Sequence, residues 1–219
     1  MSDVENTSSP MPADSEAAAP VRKRPKPGER RVQILQALAA MLEQPGAERI
    51  TTAALAAKLE VSEAALYRHF ASKAQMFEGL IEFIEQTVFS LVNQIVERDG
   101  AASDPTAGAR QAGKIVAMLV QFAEKNPGMT RVMVGDALVF ENERLQQRMN
   151  QFFDKIESTL KQCLRDAPQT GGSATPSVDA QVGASVLTAF VVGRLQRFAR
   201  SGFRRLPSEH LEASLAQML

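Results

Sequence analysis

Thr51, Thr52, Ser62, Glu63, Ala64, Tyr67, Arg68, His69 and Lys73 fall within one short window, and residues of these types could hold a nucleic-acid duplex. Ala64 is small enough to let a helix lie deep in a major groove, from which Tyr67, His69 and Lys73 can reach phosphates, with Arg68 beside them. Thr51 or Thr52 can cap one helix and Ser62 the next, because their hydroxyls accept the unpaired N–H groups of a first turn. Glu63 could accept a hydrogen bond from the N4 amino group of a cytosine. It could equally be a helix N-terminal charge that favours the dipole, and both readings stay open here. Catalytic chemistry has no comparable basis. His69 and His210 stand without a cysteine or carboxylate cluster at metal-ligand spacing, and the chain holds no glycine-rich phosphate loop, nucleophile elbow or His-Glu-x-x-His string. No cofactor, metal or enzyme activity is expected.

The elements that would position these residues are short. The run 49–70 reads as two helices joined by a tight turn, sharing an apolar face of Leu55, Leu59, Val61, Leu66 and Phe70. An ordinary helical hairpin would show the same pattern. A helix over about 29–43 precedes them, with Ile34, Leu35, Leu38, Met41 and Leu42 on one face and Pro45-Gly46 as its stop. The helix from Ser72 to about Arg98 opens on a capping box, Ser72 with Gln75. Phe77, Leu80, Ile81, Ile84, Val88, Leu91, Val92 and Ile95 form its buried stripe. Phe83 lies about 120° from that stripe's centre, and Phe89 is off it on the opposite side. An apolar ring outside the core face needs a partner, either a neighbouring helix or another protein.

Further helices are expected over about 105–126, 129–135, 138–166, 178–201 and 208–219. Ile115, Val116, Leu119, Phe122 and Ala123 make the core face of the first, Met118, Gln121 and Lys125 lie toward its edge, and Asn126-Pro127-Gly128 stops it. The 138–166 helix carries Leu145, Met149, Phe152, Phe153, Ile156, Leu160 and Leu164 among alternating charges, as an internal packing helix or a coiled-coil seam. The run 167–177 reads as a flexible loop. Gly183, Ala184, Ser185, Ala189 and Gly193 would let another helix approach closely. With Leu211, Leu215 and Met218 they suggest a four-helix dimer interface about a two-fold axis, the alternative being a completed monomer core.

The expected architecture is all-α. A disordered tail over 1–28 precedes a helix-turn-helix head over 29–75, with the motif at about 51–70, and a helical dimerisation and partner-binding body over 76–219. At 219 residues and 44% hydrophobic, the chain can bury a real core. Its formal net charge is zero, so nucleic-acid binding must come from local arrangement. The tail is acidic first, then basic at Arg22, Lys23, Arg24 and Lys26, with Arg30 and Arg31 opening the first helix. That basic arm could follow a phosphate backbone or enter a minor groove, or it could simply be solvated. The single cysteine, Cys163, excludes an intramolecular disulfide, suits a reducing compartment and reads as a buried small hydrophobe. No secretory signal is expected over 1–20, and the longest uncharged helical run, Ala180 to Gly193, falls short of the roughly 20 residues of a bilayer span. A cytoplasmic protein with no membrane partner is expected.

The string Thr-Thr-x-x-Leu-Ala-x-x-x-x-Val-Ser-x-x-x-Leu-Tyr-Arg-His-Phe-x-Ser-Lys, from Thr51 to Lys73, closely resembles the helix-turn-helix of TetR-family regulators. Val61 to Phe70, Leu80 to Glu85, Asn126 to Arg131 and Ala137 to Gln151 resemble more narrowly the nucleoid-occlusion branch of that family. The resemblance implies a homodimer on palindromic sites of double-stranded DNA, associated with the nucleoid. It also implies a second partner, the C-terminal tail of the tubulin-like division protein FtsZ, whose polymers are disrupted. The groove it implies for that tail lies between the fourth and fifth helices, at positions matching Phe83, Met118, Gln121, Lys125 and Asn126. Three positions depart from the pattern. Glu60 stands where the turn usually carries glycine, so either the turn is reshaped or the fold absorbs about 1 kcal/mol of left-handed strain. Leu91 replaces a basic residue and Gln121 a glycine. The other reading of the same resemblance is a repressor released by a small ligand. That role calls for a cavity lined by aromatics, yet the chain has no Trp and its one Tyr is in the head. A third reading, a helical scaffold that does not bind DNA, conflicts with the motif.

Overall fold

The computed structural model describes residues 28–44, 50–99, 106–165 and 175–219, and over them the chain forms helices and no strand. The tail expected over 1–28 lies outside these residues except for Gly28, as do Pro45-Gly46 and most of the loop expected over 167–177. Three helices make the head: α1 (Glu29–Leu42), α2 (Thr52–Lys58) and α3 (Glu63–Tyr67). Ile34, Leu38 and Leu42 of α1 join Leu55, Leu66 and Phe70 in one buried core, where each such side chain contributes about 1.5–3 kcal/mol.

The turn between α2 and α3 answers the question that Glu60 raises. Its φ is 54°, so the left-handed geometry is kept and a non-glycine residue bears it. Val61 N–H donates to the Ala56 carbonyl at 3.0 Å and Glu60 N–H to the Ala57 carbonyl at 3.1 Å. That pair of bonds is the Schellman closure, which satisfies carbonyls a helix end otherwise leaves open. Glu60→Gly is therefore expected to relieve up to about 1 kcal/mol of left-handed backbone strain while these two backbone bonds remain. A thermal melt of the two proteins checks this.

The body begins with α4 (Lys73–Asp99), whose first turns also belong to the head. The Ser72 hydroxyl accepts from Gln75 N–H at 3.2 Å, and the Gln75 amide oxygen reaches back to Ala71 N–H at 2.8 Å. Met76, Phe77, Leu80, Ile81, Ile84, Val88 and Val92 are buried, whereas Leu91 and Ile95 are half-buried. Phe89 finds a neighbouring helix as its partner: it meets Phe152 edge-on, centroids 5.5 Å apart at 63°. The remaining elements are α5 (Ala107–Lys125), α6 (Pro127–Met133), a 3-10 turn (Asp136–Leu138), α7 (Glu143–Arg165), α8 (Pro176–Arg200) and α9 (Leu211–Met218).

Several of these differ from the sequence reading for local reasons. Pro127 both ends α5 and opens α6, because a proline at the first helical position lacks an N–H that would be unpaired anyway. The seventh helix starts at Glu143 rather than 138, since the 3-10 turn intervenes and the Asn142 side chain accepts from Arg144 N–H at 3.0 Å. It buries Leu145, Met149, Phe152, Ile156, Leu160 and Cys163, so it is an internal packing helix. A forked pair fastens it to α4: Arg148 donates to both carboxylate oxygens of Glu85, at 2.6 and 3.2 Å. The hydrogen bond to Glu85 raises the guanidinium's pKa further above its ordinary value, and burial opposes it.

The longest packing seam joins α7 to α8. Gly183 and Ala184 lie on that seam: a Cβ at Gly183 would stand 3.0 Å from Leu164 Cδ1, and Ala184 is fully buried, whereas Ser185 and Ala189 are exposed and a Cβ at Gly193 would meet nothing within 4 Å. Val178, Val182 and Val186 form an exposed row on α8. On α9 the apolar residues turn inward instead, Leu211 buried and Leu215 and Met218 packed on the same core. Beyond its uncharged centre α8 runs to 25 residues, long and apolar enough to cross a bilayer by length and composition alone. Its Leu187, Val191 and Leu195 are nonetheless buried in the protein core.

Candidate nucleic-acid interface

Thr51, not Thr52, caps α2: its hydroxyl accepts from Ala54 N–H at 3.1 Å. Ser62 caps α3 in the same way, accepting from Ala65 N–H at 3.3 Å. Each cap uses an oxygen lone pair, so each O–H remains to donate to a phosphate. Thr52 does something else. Its hydroxyl donates to Glu63 Oε2 at 2.6 Å, joining the start of α2 to the start of α3.

Ser62, Glu63, Ala64, Tyr67 and Arg68 are exposed together on α3, with the Tyr67 ring 45% accessible. His69 is half-buried, and its carbonyl accepts from the Arg31 guanidinium at 2.5 Å. That guanidinium lies over the Phe70 ring, 4.1 Å from the centroid. Arg31, which the sequence places at the end of a basic arm, is thus a strut between α1 and the end of the recognition helix. Lys73 is an ion pair with Glu141, just before α7. Neither contact has a local signature, because each joins residues far apart in the chain. Among the described residues no group of three or more His, Cys, Asp or Glu stands close enough to hold a metal ion.

Phe83 is 47% exposed and lines an apolar pocket of about 90 Å³ with Leu80, with Val32, Leu35 and Gln36 of α1, and with Met129 of α6. The pocket is therefore walled by α1 and α6 beside α4, and none of the α5 residues expected beside Phe83 lines it. Met118 is half-buried against the core, and Lys125 is exposed in the last turn. Asn126 closes α5, its amide donating to the Phe122 carbonyl at 2.8 Å. Gln121 faces another depression, lined by Ser208, His210, Leu211, Glu212 and Ala213. The sequence reading missed Val32 and Met129. A signal for Val32 existed, since it falls outside the apolar face of α1 just as Phe83 falls outside that of α4.

Two family models match the chain: "Bacterial regulatory proteins, tetR family" over residues 34–80, and "Tetracyclin repressor-like, C-terminal domain", of the SlmA-like kind, over 109–219. Similar proteins include the nucleoid occlusion factor SlmA of Aliivibrio fischeri, 51% identical over 85% of this chain and 92% of that protein. The chain belongs to the SlmA family. The SlmA of Vibrio cholerae is 50% identical over 84% of this chain and 90% of that one. The fold is also that of the transcriptional regulator FadR from Bacillus subtilis, solved with stearoyl-CoA, at TM-score 0.64 and 11% identity over 85% of this chain and 96% of that chain. In this SlmA-family chain Phe83 lies between the two matched segments, just past the helix-turn-helix match.

Proposed function

We propose that the protein is a non-catalytic nucleoid occlusion factor: a homodimer that binds palindromic chromosomal sites through α2 and α3 and, while bound, takes the FtsZ C-terminal tail at the Phe83 pocket, disrupting FtsZ polymers over the nucleoid. The observation that carries it is the pairing of an exposed recognition helix with an exposed phenylalanine in an apolar pocket on the adjoining long helix. Family membership supports the nucleoid-occlusion role. The row of Val178, Val182 and Val186 on α8 offers a surface for the second copy, which would set two recognition helices about 34 Å apart. Thr51, Ser62, Tyr67, Arg68 and His69 are the proposed phosphate and groove contacts, with Ala64 permitting close approach; Lys73, paired with Glu141, would add charge beside them, and the Thr52 hydroxyl is engaged by Glu63. Lys125, exposed in the last turn of α5, is a cation that would attract an acidic tail and chiefly set encounter and register. The ligand-released repressor reading finds less support, since the depressions around Gln121 and Phe83 open to solvent and the one tyrosine serves the head.

An electrophoretic shift on a palindromic duplex tests the DNA half. Tyr67→Ala is expected to weaken binding about tenfold, the loss of a phosphate contact and its groove packing, with the fold intact because Tyr67 is exposed. Wild-type affinity in that variant would remove α3 from the interface.

A further inference from the structure

Glu63 is an anion in the middle of a surface otherwise suited to phosphates, and the Thr52 contact gives it a defined place. From this geometry we infer that Thr52 is a positioning residue for Glu63, and that Glu63 reads the N4 amino group of a cytosine in each half-site. The inference rests on the DNA-binding reading above and deepens it.

A free glutamate side chain samples many rotamers, and ordering it on binding has an entropic cost. The Thr52 hydroxyl donates to Oε2 at 2.6 Å, a charge-assisted bond that holds the carboxylate before DNA arrives. Oε1 is left for another donor, and Glu63 is exposed, beside Ala64, at the start of the recognition helix. A carboxylate can only accept. It repels phosphates, guanine O6 and N7, and thymine O4, so amino groups are the base-edge groups in the major groove that it can meet. Adenine N6 lies beside the acceptor N7, which opposes an anion, whereas cytosine N4 has no acceptor next to it on its own base. The same anion penalises unmatched DNA, so Glu63 contributes selectivity more than affinity.

The test is selection of duplexes from a random-sequence pool by the full-length protein, using wild type, Glu63→Gln, Thr52→Val and Thr52→Ser, each checked by thermal melt. Wild type is expected to enrich a palindrome with one C·G pair per half-site that it prefers about tenfold over the other pairs. Glu63→Gln is expected to lose that preference while still enriching the rest of the palindrome. Thr52→Val, which keeps shape and loses the donor, is expected to weaken the preference at the same pair, and Thr52→Ser to restore it. A purely structural staple between α2 and α3 would lower the melt and leave the selected base unchanged, which would overturn the inference. So would an identical consensus from wild type and Glu63→Gln. Failure of wild type to enrich any palindrome would overturn the DNA-binding reading itself, and the assignment of Glu63 with it.

Discussion

Gly128→Ala is expected to destabilise the protein by about 3 kcal/mol or more, a fall in Tm of about 6–12 °C for a chain of this size. The cause is the closeness of two helix backbones. A Cβ added at Gly128 would stand 2.0 Å from the Ala39 carbonyl oxygen and 2.9 Å from its carbon. Those atoms belong to the backbone of α1, so no rotamer change relieves the clash, and α1 or α6 must draw back. Both helices wall the Phe83 pocket, through Val32, Leu35 and Gln36 on one side and Met129 on the other. The same variant is therefore expected to weaken partner binding at the pocket, and a larger residue such as Val to do worse. Differential scanning calorimetry reads the first effect directly. An unchanged Tm would show that α6 does not lie as close to α1 as described.

Phe83→Ala is expected to lower affinity for the FtsZ C-terminal tail by about thirtyfold, roughly 2 kcal/mol, as expected for an aromatic anchor at the centre of a small apolar pocket. DNA binding is expected to stay at the wild-type level, because Phe83 lies outside the core stripe of α4 and makes no contact with α2 or α3 in the pocket it lines. Stability should hardly change, since the ring is about half exposed and its removal opens no closed cavity. A fluorescence-polarisation titration of a labelled tail peptide measures the loss. Retained affinity would place the tail elsewhere on the body, whereas joint loss of DNA and tail binding would point to a damaged fold.

The head was legible in the sequence because its determinants are local. Hydroxyl caps act on N–H groups two or three residues away, so Thr51 and Ser62 could be placed from spacing alone, although spacing did not separate Thr51 from Thr52. The stripe of α4 was legible for the same reason, since helical periodicity maps residue number directly onto direction, and it left Phe83 outward. What the sequence hid was nonlocal. Arg31 over Phe70 and Lys73 against Glu141 depend on helices meeting in space, and no pattern within one helix announces them. The pocket shows the limit most clearly. The off-face direction of Phe83 followed from α4 alone, but the walls, Val32 and Met129, depend on how closely α1 and α6 approach at Gly128. The small residues on α8 divide, because a glycine that admits a neighbour does not say whether that place is filled by α7, as at Gly183, or left open, as at Gly193.

The measurement that tests the two-surface account most directly is titration of labelled FtsZ tail peptide into full-length protein already saturated with a palindromic duplex. The account predicts that polarisation rises with the duplex still bound, and that Phe83→Ala on the same duplex gives no comparable rise. Displacement of the duplex by the peptide, or equal binding by the variant, would contradict it.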